Sequence, residues 1–242
     1  RAGDYAVAAK TLEEARQKTA PSADLLYLLG AVYMEQDRLA DAEAATRGAL
    51  TLQPKHVGAH CQLGIIFGRI GWHESAVESF EDALAVAPES LPAQLGLVGS
   101  LIEAGHAAAG EKAAREFLGR TPGEAILWVA LGEALEAREN LKEAFAAYGR
   151  ALAENSKCAD AYARRAHLFC RMGQFEAAQN ECRTALSFEP DHHFDLFVRA
   201  EENSSLCLIG FEDEAIAGFH IIETVRLPLV VREELLDPAV GV

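Results

Sequence analysis

A period of 34 residues constrains this chain more than any other feature. Prolines recur at Pro54, Pro88, Pro122 and Pro190, with Ser156 in the skipped position. The same period fixes a column of small residues at Ala8, Ala42, Ala76, Gly110, Ala144 and Ala178. A second column reads Ala15, Ala49, Ala83, Phe117, Ala151, Ala185, and a third reads Gly30, Gly64, Val98, Gly132, Ala166. Three residues after each member of the third column stands a large apolar one: Tyr33, Phe67, Leu101, Leu135, Phe169. Self-similarity of this length marks a stacked array, in which no unit buries its apolar face without its neighbours.

Inside each unit the apolar residues fall at helical spacing, as in Leu26, Leu29 and Tyr33, then Leu39, Ala42, Ala49 and Leu50. A turn between the two runs is marked by Gly3, Gly71, Gly105 and Gly173, with Asp37 and Glu139 in the same column. Glycine there tolerates the left-handed backbone that ends a helix. The prolines mark the second break. Each unit therefore reads as two antiparallel helices, and the small columns are where they approach closely.

These columns resemble the tetratricopeptide repeat (TPR). Trp128, Leu131, Gly132, Leu135, Ala144, Tyr148 and Ala151 form a near-consensus copy, as do Leu63, Gly64, Phe67, Ala76, Phe80, Ala83 and Pro88. The resemblance implies an all-α fold, a right-handed α-solenoid of antiparallel helix pairs spanning 1–242 as a single array. Residues 1–20 form a half repeat, and full units lie near 23–56, 57–90, 91–124, 125–158, 159–192 and 193–229. Residues 230–242 are left as a C-terminal cap or linker. The unit at 91–124 inverts the size pattern, with Val98 and Gly110 exchanging small and large, and carries Gly96 and Gly99 in its first helix. It is expected to be the softest repeat and a hinge. The last unit is offset by 37 residues instead of 34 but is still expected to be a helix pair, with Leu206, Ala215, Phe219 and Ile222 inside.

Composition narrows the function. Half of the residues are hydrophobic but only 7% are aromatic, which suits packed helices better than a sandwich. The net charge of −15 opposes nucleic-acid and anionic-membrane partners, and no apolar run is long enough to span a bilayer. The opening RAGDYAVAAK is unlike a signal peptide, and without an initiator Met the chain reads as an excised piece of a longer protein. The five cysteines are odd in number and form no CxxC pair, so a disulfide framework is not expected; a reducing, cytoplasmic compartment is.

No cluster promises chemistry. In EPDHHFD (189–195), adjacent histidines point about 100° apart on a helix, and Asp191 at a helix start is expected to cap it. His56, His60 and Cys61 are a nominal ligand set at a repeat junction, and Cys170 and Cys182 read as buried small hydrophobes. No catalytic residue, metal or cofactor is expected.

The resemblance also places the first helix of each pair on the concave face. Residues flanking the packed columns there should face a groove: Tyr27, Leu28, Ala31, Gln62, Ile65 and Arg69 toward the N-terminus, and Leu95, Gly99, Val129 and Glu133 in the middle. Arg164, His167, Arg171 and Glu201 follow toward the C-terminus. Such a groove, apolar at one end and basic at the other, suits a peptide or helix with apolar anchors and an acidic end. Tyr27, Ala31 and Ile65 stand where TPR domains that clamp chaperone C-termini carry lysine and asparagine, and the asparagine ladder of O-linked N-acetylglucosamine transferases is missing. The expected function is a non-catalytic protein-interaction scaffold. The alternative is a recruiting arm of an enzyme whose catalytic domain lies outside this chain. Self-association through the terminal repeats is a third reading.

Overall fold

The computed structural model describes residues 2–18, 20–188, 194–201 and 204–211. It holds eleven helices among those residues: α1 (Ala2–Lys18), α2 (Ala23–Glu35), α3 (Leu39–Leu52), α4 (Val57–Ile70), α5 (His73–Val86), α6 (Leu91–Glu103), α7 (Ala107–Arg120), α8 (Ala125–Ala137), α9 (Leu141–Glu154), α10 (Ala159–Arg171) and α11 (Phe175–Phe188). The chain divides into two compact units, Arg1–Ser156 and Lys157–Val242, each taken by itself below. The division falls at Ser156, the position that lacks the periodic proline. The helices pair as the period requires, α2 with α3, α4 with α5, α6 with α7, α8 with α9 and α10 with α11. Through α11 this is the α-helical repeat solenoid expected from the sequence.

Each hairpin turns by one device. Just past each first helix a backbone N–H donates to a carbonyl five residues back: Arg38 to Tyr33, Trp72 to Phe67, His106 to Leu101, Asn140 to Leu135 and Gln174 to Phe169, at 2.7–2.9 Å. The residue before each donor takes positive φ, at Asp37, Gly71, Gly105, Glu139 and Gly173. That is the Schellman end, which satisfies carbonyls the helix leaves open.

The two helices of a pair interlock by size. A Cβ added at Gly64 would sit 2.6 Å from the Phe80 ring, and one at Gly132 would sit 2.3 Å from the Tyr148 ring. At Gly30 it would meet Thr46 Oγ1 at 2.6 Å. The small column thus faces the column sixteen residues later, Thr46, Phe80, Ala114, Tyr148 and Cys182, all buried. The same register sets Val98 opposite Ala114, so the inverted unit keeps its volume. Gly96 has its own packing reason: a Cβ there would lie 2.2 Å from the other side of Phe80.

The seams between pairs share a contact that no column of identical residues reveals. His60 Nε2 lies 2.8 Å from the Pro54 carbonyl, Gln94 Nε2 donates to that of Pro88 at 2.9 Å, and Trp128 Nε1 to that of Pro122 at 2.9 Å. Three side chains of different shape close the same loop, because proline leaves its carbonyl as the available acceptor and each supplies an N–H.

The helix pair expected over 193–229 is corrected in its first part. Phe194–Glu201 (β1) and Ser204–Phe211 (β2) form a two-stranded antiparallel ladder, with Phe194 opposite Phe211 and Glu201 opposite Ser204. Phe194, Leu196, Val198 and Ala200 alternate in sequence with Asp195, Phe197, Arg199 and Glu201. That period of two competes with the helical one once the 34-residue spacing slips. Leu206, expected inside a helix pair, lies in β2. Residues 189–193, Ala215, Phe219, Ile222 and 230–242 lie outside the described residues.

Candidate functional site

In the first unit, successive first helices touch, α2 with α4, α4 with α6 and α6 with α8, and so build one wall. Two large apolar side chains on these helices stay open to solvent: Leu28, 49% exposed, and Ile65, 48% exposed. Beyond them the wall drops to bare backbone. A Cβ added at Gly68 or Gly99 would meet nothing within 4 Å. Ile65 and Gly99 are one period apart, so the α4 knob is followed by an α6 notch.

The other residues expected to face the groove divide. Tyr27 is partly buried, its ring tilted against His56 with centroids 4.9 Å apart. His56 caps α4, its Nδ1 accepting the Ala59 N–H at 3.0 Å while Nε2 lies 3.4 Å from Asp24. The nominal ligands at 56 and 60 are therefore structural, one a helix cap and the other a loop donor. Arg69 is partly buried and donates from Nη1 to the Met34 carbonyl at 2.9 Å, tying α4 to α2. Ala31, Leu95 and Glu133 are partly buried.

Two expectations fail on burial. Val129 is 3% exposed and offers a partner almost no surface. Gln62 is 5% exposed: its amide nitrogen donates to Thr46 Oγ1 at 2.9 Å and to the Tyr27 carbonyl at 3.3 Å. The single Thr46 hydroxyl proton goes to the Ala42 carbonyl at 2.7 Å, which fixes that orientation. The room for this buried polar pair is the side chain that Gly30 lacks. The flanking position predicted an open face, but Gly30 draws the second helix close enough to cover Gln62.

In the second unit, Arg164 and His167 are partly buried and Arg171 is exposed. Their spacing of three and then four places them along one side of α10. Arg165 turns inward, donating to Glu181 Oε1 on α11 at 2.7 Å. Burial pushes the Glu181 carboxyl above its ordinary range, and Arg165 opposes this. Glu201 lies in β1 instead of on a helix.

Among the described residues no three His, Cys, Asp or Glu side chains are placed to hold a metal ion. Among the described residues Cys61, Cys158, Cys170 and Cys182 are buried and form no disulfide. Burial raises the Cys61 thiol, which makes it a poor nucleophile. No described helix is long and apolar enough to cross a membrane.

Stacked helix hairpins, turned by a repeated Schellman end and lined by first helices, define a helical repeat array built to present a surface. Tetratricopeptide repeat models match residues 1–57 and 95–159, 57–90, and 134–196, and the chain belongs to the tetratricopeptide repeat family. Solved structures share the fold at low identity. A tetratricopeptide repeat protein from Parabacteroides merdae is 18% identical with a TM-score of 0.68, over 78% of this chain and 74% of that one. TTC0263, a thermophilic TPR protein of Thermus thermophilus, is 19% identical with a TM-score of 0.61, over 70% and 93%. YrrB, described as a TPR protein with an unusual peptide-binding site, is 18% identical with a TM-score of 0.52, over 76% and 95%. No curated protein sequence matches this chain.

Proposed function

We propose that this chain is an interaction scaffold whose α2–α4–α6 wall takes a peptide or helix of a partner protein. TPR repeats generally mediate protein–protein interaction; the peptide-binding part of this proposal is supported by one observation. Leu28 and Ile65 stand about half exposed, the Gly99 notch one period on from Ile65, on helices whose other large apolar side chains are buried or partly buried. Exposed apolar side chains beside a recess are what a peptide anchor needs. The peptide-binding site described for YrrB is in keeping with this role. On α10, the side bearing Arg164, His167 and Arg171 fits an acidic segment.

The test is a panning experiment. Peptides selected from a random library on the wild-type chain are titrated against Leu28→Ser/Ile65→Ser and against Arg164→Glu/Arg171→Glu. Loss of about tenfold or more in affinity with the first variant supports the wall. Peptides that bind both variants as they bind the wild type would remove the proposal.

A further inference from the structure

Resting on the proposed apolar wall, we infer that its partner segment is basic: one aliphatic anchor flanked by lysine or arginine. Charge on these helices, independent of the apolar anchor, selects such a segment. The first helices of this unit, α2, α4, α6 and α8, carry Asp24, Glu35, Glu103, Glu133 and Glu136, against Arg69 as their one lysine or arginine. Arg69 already directs Nη1 to the Met34 carbonyl.

Three of these acids sit at helix C-termini. The C-terminal end of a helix carries partial negative charge and ordinarily favours a cation. The last turns of α2, α6 and α8 hold no basic residue. They hold Glu35, Glu103 and Glu136 instead, with Glu35 and Glu103 exposed. Two arginines lie just beyond, and both are already engaged in ion pairs. Arg38 pairs with Asp41 at 2.7 Å, and Arg138 pairs with the buried Glu111. Carboxylates thus border the end of the wall where Gly68 leaves it open, with Arg69 in the last turn of α4 as the one cation among them.

A cation from outside relieves this arrangement. Lysine and arginine suit it doubly, because their aliphatic stems can lie along Ile65 and the Gly99 backbone while the charged head reaches the carboxylates. An acidic segment meets like charge here, as does a nucleic acid or an anionic membrane.

Three synthetic peptides test this, sharing one leucine anchor and differing in flanks of lysine, serine or glutamate. Their affinities for the whole chain are read by fluorescence anisotropy at low and high salt. The lysine-flanked peptide should bind about tenfold more tightly than the serine-flanked one at low salt, with the gap closing at high salt. Glu35→Gln/Glu103→Gln should bring it down to the serine level, and Leu28→Ser/Ile65→Ser should weaken both peptides together. If lysine- and serine-flanked peptides bind equally, and both need Ile65, the apolar wall stands and the basic partner is overturned. If no peptide of the set binds, the wall itself falls and this inference with it.

Discussion

Gly132→Ala tests the size matching that holds each hairpin together. The new Cβ would lie 2.3 Å from Tyr148 Cε1, closer than real carbon contacts allow. Tyr148 is fully buried on α9 and its hydroxyl donates to Glu136 Oε2 at 3.0 Å, so the ring has no free direction of retreat. Overpacking of this kind costs about 1–3 kcal/mol, and displacing the hydroxyl adds about 1 kcal/mol. Alanine returns about 1 kcal/mol in helix propensity, leaving a net loss of about 1–3 kcal/mol. Gly149→Ala, in the same hairpin, is the control. Nothing lies within 4 Å of its Cβ, so it should gain about 0.5–1 kcal/mol. Two identical chemical changes should therefore differ by about 1.5–4 kcal/mol. Urea unfolding followed by Trp128 fluorescence in a Trp72→Phe background reads this hairpin locally, which matters because repeat arrays need not unfold in one step. The pair Gly132→Ala/Tyr148→Cys copies the Ala166–Cys182 pairing of the next hairpin and should recover at least about 1 kcal/mol of coupling. If Gly132→Ala stabilises as Gly149→Ala does, the steric account of the column is wrong.

Two further outcomes follow from burial. Helix α6 buries Ala93, Gln94, Leu97 and Val98, whereas α4 and α8 each bury seven residues, so α6 amides should exchange faster than those of both neighbours; equal or slower exchange removes the soft repeat. The raised Glu181 carboxyl implies stability that is full below the ordinary glutamate value of 4.5 and is lost as pH rises through the higher folded value. Relative to Glu181→Gln, the wild type should lose stability with rising pH across that window, and a flat or rising difference in thermal midpoint would contradict it.

The hairpin repeat was readable because one steric demand recurs every 34 residues with the same kind of answer. Gly71, Gly105 and Gly173 announce the turns, and Gly64 and Gly132 announce close approach, since few residues other than glycine meet either demand cheaply. The candidate site was only partly readable. Leu28 and Ile65 are open to solvent, but Val129 and Gln62 occupy comparable flanking positions and are covered. Helical spacing gives the side a residue lies on, and the neighbouring helices determine how far that side is shut.

Sequence by itself determined the hairpins from α2 to α11, their turns and the matching of small against large columns, because these depend on local backbone demands and on volume. Tertiary structure decided what recurs without a recurring residue. His60, Gln94 and Trp128 share no chemistry except an N–H placed by the fold against a proline carbonyl. It also decided the strands at 194–201 and 204–211, where alternation competes with a failing helical period and cross-strand pairing, from Phe194–Phe211 to Glu201–Ser204, settles the outcome.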